Sequence, residues 1–315
     1  MLEGIENKES ITSIRNNILA IVLMLLSIGL IMVYSTSALV AQLDPKTGSP
    51  FFFVKKQLIW TMLAGIALIV CMDIPYRFFA KYAYHIFWAA FILIVLVLIP
   101  GIGVEYNGAR RWIRVAGMGV QPSDCMKIAM VLFVSNYIER NYARLKNFQL
   151  GFLPVFSVIA SSCFLILMEP DFGTCSFIML VSILLLLAGG INWKHLFPLF
   201  IAGLPLIIFL AIFKLHHIKN RIMIYINPDL DPQGKGYQIK QSLIALGSGG
   251  DCGLGLGWSR QKLFFLSEES TDFIFAILGE ELGFIGTSFT VILYILLLYY
   301  GFKVICHAPD IFAKM

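Results

Sequence analysis

The chain has 315 residues, of which 58% are hydrophobic and 14% charged, with a formal net charge of +5 and a mean hydropathy of +0.81. This composition excludes an ordinary soluble domain, in which about a quarter of residues are charged. No nucleic-acid partner is expected. Apolar runs near the length that crosses a bilayer, about 20 residues as a helix, fall at Ile18–Val40, Phe53–Met72, Tyr82–Pro100, Pro122–Ile138, Gly151–Met168, Thr174–Gly190, Leu196–Phe213 and Phe273–Gly301. The pattern predicts an all-α polytopic membrane protein of about eight transmembrane helices, treated as a single domain over residues 1–315. The first run is too long for the apolar region of a cleavable leader, so the first helix reads as a signal anchor.

Basic residues set the expected orientation. With the N-terminus cytoplasmic, the inner segments hold Lys8, Arg15, Arg77, Lys81, Arg140, Arg144, Lys146, Lys194, Lys303 and Lys314, against Lys46, Lys55, Lys56, Arg110, Arg111 and Arg114 in the outer loops. Parity then puts residues 101–121, 169–173 and 215–270 on the outer side. Three separate segments on one face predict a single site at the membrane surface. The longest is an extracytoplasmic insert between helices 7 and 8. There Lys235, Lys240, Arg260 and Lys262 alternate with Asp231, Asp251, Glu268, Glu269 and Asp272, a surface able to hold a polyanion and move a proton.

Individual residues carry two readings each. Arg110 and Arg111 suit phosphate oxygens through their planar forks, although paired arginines beside a membrane also anchor headgroups. Asp272 stands where a helix begins, a place where aspartate usually caps. Lys127, Glu280 and Glu281 lie inside predicted spans, where ionisable groups are costly and mark function. Glu280 and Glu281 point about 100° apart on a helix, so one of them is expected to pair with Lys127. A local pair between Lys127 and Asp124, three residues earlier, is the alternative. The run GLGLG (253–257) lacks the strand–loop–helix setting of a nucleotide cradle and reads as a close-approach loop. Cys71, Cys125, Cys163, Cys175, Cys252 and Cys306 show no metal-ligand spacing, so no metal site is expected. A divalent cation held weakly by Asp251, Glu268 or Glu269 is left open, and no cofactor is otherwise indicated.

Several motifs resemble one family. NGARRWI (107–113) with QPSD and Lys127, EPDFGT (169–174), DPQGKGYQIKQSLIALGSGG (231–250), GLGLGWSRQK (253–262) and TDFIFAILGEELGFIG (271–286) resemble, in order, the signatures of the SEDS proteins (shape, elongation, division and sporulation) of the bacterial cell wall. The insert is more similar to the division branch than to the elongation branch. The resemblance implies a glycosyltransferase that polymerises lipid II into glycan strands in the bacterial inner membrane, at the division septum. It implies a class B penicillin-binding transpeptidase and other division proteins as partners, with membrane lipid around it. It also implies roles: Asp272 as catalytic base; Arg110, Arg111, Lys127, Lys240, Gln241, Arg260 and Lys262 binding substrate; Asp171, Glu280 and Glu281 in support.

Departures from the family pattern are specific. LPExHTDF is LSEESTDF (266–273) here, with Ser267 and Ser270 replacing Pro and His; Glu169 replaces Gln, and Asp124 replaces Glu. The family has ten membrane helices, so a chain of eight is expected to lack the last two. A lipid II flippase and a non-catalytic division scaffold are the competing readings. Motifs gathered at one face favour the enzyme, because a flippase needs polar residues through the whole depth.

Overall fold

A computed structural model of the chain describes every residue except Met1, 44–47, 107, 108, 116, 117, 196, 199–222, 233, 264 and 267–270. Nearly all of the helix expected at Leu196–Phe213, together with Ser267, Glu268, Glu269 and Ser270, lies outside the described residues. The helices are α1 (Leu2–Leu43), α2 (Phe52–Asp73), α3 (Tyr76–Leu98), α4 (Pro122–Asn141), α5 (Leu153–Met168), α6 (Phe172–Ala188), α7 (Lys235–Ser248), α8 (Ile274–His307) and the short α9 (Ile311–Lys314). Among the described residues, five helical segments are long and apolar enough to cross a membrane: Ile11–Leu43, Phe52–Asp73, Tyr76–Leu98, Phe148–Met168 and Ile274–His307. The protein is therefore mostly helical with multiple candidate spans. The shorter α6 is apolar too, whereas α4 carries Asp124, Lys127, Glu139 and Arg140 along its length.

The all-α expectation needs correction. Residues between α3 and α4 form an antiparallel meander of β1 (Gly103–Tyr106), β2 (Ala109–Val115) and β3 (Met118–Val120). In register, Val104 faces Trp112, Tyr106 faces Ala109, and Ile113 faces Val120. Exposure alternates along β2, with Arg111 and Ile113 half-buried and Trp112 and Arg114 exposed, as in a half-covered strand. Asn107-Gly108, which separates the paired residues Tyr106 and Ala109, is the strongest short-range hairpin pair in sequence terms.

The chain divides into two compact units, residues 72–205 with 305–315, and residues 1–71 with 206–304. In the first of these, α3 to α6 enclose a core of Phe87, Ile94, Met126, Met130, Phe152 and Ile159, among others. The rings of Phe87 on α3 and Phe133 on α4 lie 4.5 Å apart. Asn136 of α4, buried in this core, donates to the Ala80 carbonyl of α3. The chain end is tied back to α3, because the Tyr76 hydroxyl donates to Asp310 at 2.6 Å and Asp310 caps α9.

In the other unit, α1 and α8 run antiparallel and are pinned at two levels. The Asn17 amide donates to the Tyr300 hydroxyl at 3.0 Å, and the Ser35 hydroxyl donates to the Glu281 carboxylate at 2.6 Å. These pins are about 27 Å apart along α1 at 1.5 Å per residue, close to the roughly 30 Å of a bilayer's hydrocarbon layer.

Helix α8 is interrupted at Gly283, whose φ of 69° and ψ of −165° no helix tolerates. A break frees carbonyls on one side and N–H groups on the other. The loop after α7 supplies partners to both. Leu254 and Gly255 donate to the carbonyls of Glu280 and Glu281 at 2.9 and 3.0 Å, and Phe284 and Ile285 donate to the carbonyls of Gly250 and Asp251 at 2.8 and 3.1 Å. Glycine is required at the crossing, since a Cβ on Gly253 would collide with the Glu281 carbonyl and one on Gly283 with the Asp251 carbonyl. The close-approach reading of GLGLG holds.

Gly253→Ala is therefore expected to lower unfolding stability in detergent by about 2 kcal/mol or more, through a clash and a left-handed backbone together. Gly29→Ala on α1, with open space around its Cβ, should change it by under about 1 kcal/mol. Thermal unfolding monitored by fluorescence compares the two.

Candidate functional site

Two of the three predicted outer segments, 101–121 and 169–173, meet. The link is Arg111 on β2: its Nε donates to the Glu169 carbonyl at 2.9 Å and its Nη2 to the Pro170 carbonyl at 2.6 Å. Its fork thus fixes the turn between α5 and α6. Asp171 completes that turn as the cap of α6, accepting from the Thr174 amide at 3.1 Å and the Thr174 hydroxyl at 2.8 Å. The Gln121 amide donates to Asp171 at 3.4 Å and to Ser123 at 2.9 Å, joining the start of α4 to the same turn. Arg110, on the opposite face of β2, pairs with Glu105 at 3.3 Å in an exposed contact of little energetic weight.

Glu169 is the anomaly of this cluster. It is fully buried, and neither carboxylate oxygen has a hydrogen-bond partner, because Arg111 addresses its main-chain carbonyl instead. Burial, followed by the neighbouring Asp171 charge, pushes its pKa up to about 7, with Arg111 pulling the other way.

The Lys127 ammonium pairs with Asp124 at 2.8 Å and lies 5.8 Å from the Phe177 ring centre, which is the local pair between positions three apart. Glu281 instead takes the Lys262 ammonium at 2.8 Å, and both side chains are buried. Ser35 closes the triangle, accepting from Lys262 at 3.1 Å while donating to Glu281. Glu280 accepts from the Ser259 hydroxyl, from the Arg260 amide at 2.9 Å and from the Gln261 amide at 3.3 Å. Two adjacent carboxylates thus clamp residues 259–262, with main-chain donors and a cation satisfying what would otherwise be buried charge. Lys262, expected on a ligand-facing surface, is a buried structural partner.

The other predicted residues of this segment face outward. Lys240 of α7 is exposed and pairs with Asp229 at 2.8 Å; Gln241 is half-buried; Arg260 is exposed. Asp272 is exposed, two residues before α8 begins. The amides of Ala276 and Ile277, in the first turn of α8, bond to the Phe273 carbonyl, so Phe273 holds the cap position and Asp272 precedes it. Sequence reasoning passed over Ser35, Ser259, Gln121 and Thr174. Three consecutive hydroxyl residues, Ser35-Thr36-Ser37, inside an apolar run were the available sign. Among the described residues no cluster of three or more His, Cys, Asp or Glu side chains is arranged to hold a metal ion.

Comparison with known proteins decides the family. The model of the FtsW, RodA and SpoVE proteins, described as cell cycle protein, matches residues 15–315. The chain belongs to this family. It is similar to stage V sporulation protein E of Bacillus subtilis strain 168, at 41% identity over 93% of this chain and 80% of that protein. It is also similar to a probable peptidoglycan glycosyltransferase FtsW of Trichlorobacter lovleyi, at 36% identity over 94% of this chain and 77% of that protein. Among solved structures, a peptidoglycan synthase complex that coordinates polymerization and crosslinking matches with a TM-score of 0.69 and 22% identity, covering 94% of this chain and 80% of that one. The rod shape determining protein RodA of Thermus thermophilus matches with a TM-score of 0.58 and 21% identity, covering 94% of this chain and 78% of that one. At those identities the structural likeness concerns the fold.

Two outcomes follow from the buried groups of this family member. Lys262→Met strands the Glu281 charge and is expected to cost about 3–5 kcal/mol, whereas Lys262→Met with Glu281→Leu regains most of it; chemical denaturation in micelles measures both. The raised Glu169 pKa stabilises the fold fully below the ordinary carboxyl value and loses that contribution, at most about 3 kcal/mol, as pH rises through 7. Glu169→Gln should flatten the fall in melting temperature between pH 5 and about 8.

Proposed function

We propose that the chain is a peptidoglycan glycosyltransferase that polymerises lipid II, with Asp272 as its general base. The supporting observation is the placement of Asp272. It is exposed just ahead of α8, next to a half-helix that the glycine-rich loop and the Glu280–Glu281 clamp hold from the other end. The relatives named peptidoglycan glycosyltransferase carry the activity in their names.

The reaction asks little covalent chemistry of the protein. A sugar hydroxyl attacks the anomeric carbon of a lipid-linked sugar; the new glycosidic C–O bond forms as the bond to the pyrophosphate breaks. Asp272 takes the hydroxyl proton, and the lipid pyrophosphate departs with the electron pair. A carboxylate is suited to this role when it can reach the attacking oxygen. The departing charge calls for cations, and Arg260 and Lys240 are exposed cations among the described residues of the same segment. Arg111 acts as a positioning residue, since its donors are occupied by the carbonyls of Glu169 and Pro170. Lys127 is held by Asp124, and its part is to fix the start of α4.

In this reading the chain is a bacterial inner-membrane protein of about eight spans, with the N-terminus cytoplasmic and α7 and the loop after it outside. It works at the division septum with a transpeptidase, as polymerization and crosslinking are coordinated in the related synthase complex. Asp272→Asn, assayed with the full-length protein, the transpeptidase and lipid II, is expected to lower polymerisation by at least about 100-fold. Arg260→Ala should lower it by a smaller factor. Unchanged glycan synthesis in Asp272→Asn would remove the aspartate from the mechanism, and flipping of lipid II without polymerisation by the unaltered protein would replace the enzyme with a transporter.

A further inference from the structure

The segment from α7 to Ser259 lies in the glycine-rich polar insert, yet it presents large apolar side chains outward. On α7 Lys240, Leu243, Ile244 and Gly247 are exposed along one helical stripe, with Leu246 and Ser248 exposed beside it, while Ala245 is buried in the core with Met32 and Ile277. Beyond α7, Leu254, Leu256 and Trp258 are exposed, Trp258 to 75%. Arg260 is exposed beside them. A basic helix with one apolar stripe, followed by an outward tryptophan, has the chemistry of a bilayer interface rather than of bulk water.

The depth of this segment can be read from the two pins of the α1–α8 pair. Asn17–Tyr300 and Ser35–Glu281 are separated by about the thickness of a hydrocarbon layer, and polar contacts between spans lie most cheaply at its two edges. Leu254 and Gly255 bond to the carbonyls of Glu280 and Glu281, so the loop is held at the level of the second pin. The end of α7 is at nearly the same level, because a Cβ on Gly249 would collide with the carbonyl of Gly279. The exposed leucines therefore emerge at the edge of the hydrocarbon, within reach of acyl chains.

We propose that α7 and the loop after it form a platform seated in the outer leaflet, with Leu243, Ile244, Leu254, Leu256 and Trp258 among the acyl chains and Lys240 and Arg260 at lipid phosphates. The proposal rests on the glycosyltransferase reading only in naming the leaflet that carries substrate. The occupant is lipid rather than protein, because the loop is tied by backbone bonds at the level of the membrane edge and its exposed apolar residues are flanked by the cations Lys240 and Arg260. The platform puts Asp272 near headgroup height, where the pyrophosphate of a lipid-linked sugar lies, and explains why the basic residues here serve a substrate that never leaves the membrane plane.

The test is independent of turnover. The full chain, with its native cysteines replaced, carries a nitroxide at residue 243, 256 or 258, or at the exposed control Asp229, in nanodiscs of phosphatidylethanolamine and phosphatidylglycerol. Oxygen should collide with labels at 243, 256 and 258 at least roughly threefold more often than a water-soluble nickel chelate does, with the reverse at 229. A label reached mainly by the chelate would mean a solvated segment and would overturn the platform. A label shielded from both would mean a protein covers it, which overturns it equally. Should the labelled chains fold poorly, the native protein and Trp258→Phe are compared in lipids brominated near the carbonyl end. The expected result is that the quenched emission is lost with Trp258, and equal quenching of the two proteins would reject the idea. Loss of activity in Asp272→Asn bears on none of these readings, so the two proposals fail separately.

Discussion

A main chain at the edge of a bilayer has little water to bond with, so every peptide group freed from a helix must find a partner within the protein. The interruption of α8 at Gly283 meets that constraint in one stroke. Residues 250–255 enter the gap, donate to two carbonyls above it and accept from two amides below it. Glu280 and Glu281 are used twice over. Their carbonyls receive the loop's amides, and their side chains hold Ser259, the amides of Arg260 and Gln261, and Lys262. The loop, the half-helix that follows Asp272 and α1 through Ser35 are thereby joined into one piece. Rigidity of this kind is what the base of the proposed reaction needs if it is to meet an attacking hydroxyl without reorganisation.

The apolar runs were plain in the sequence because helix length in a bilayer is set by thickness alone, and α1, α2, α3, α5 and α8 came out where hydropathy put them. The meander was not plain. Strands of three to seven residues leave a weak trace between long helices, and Asn107-Gly108 enters the sequence reading only as part of the NGARRWI motif. Partner choice among charges was harder still. Lys127 and Glu281 are both intramembrane in sequence terms, but which cation meets which carboxylate depends on tertiary geometry that spacing between distant residues does not carry. The Asp124–Lys127 pair was legible for the opposite reason: three residues on a helix fix the distance in advance.

Glu169 shows how a substitution can be absorbed by protonation. The family pattern it resembles has glutamine at this place, and a neutral carboxyl has almost the outline of an amide. Burial favours that neutral form and pushes the titration up to about 7, so near neutrality the side chain is divided between a form the site accepts and one it does not. Arg111 does not rescue the anion, since its geometry is committed to the carbonyls of the α5–α6 turn. The turn is thus fixed through the backbone, and the side chain beneath it is left to adjust by its proton.

The double pinning of α1 to α8 has a mechanical consequence. A single helix in a bilayer of the wrong thickness simply tilts, at a cost of a fraction of a kcal/mol per ångström. Two helices bolted at both ends cannot shear past one another, so they respond as one plank. Because one bolt also holds Lys262, and the carbonyl of the same Glu281 receives the Gly255 amide, compression or stretching of the surrounding lipid bears on the glycine-rich loop as well as on the two helices. On the function proposed above, membrane thickness thereby becomes a variable of the chemistry.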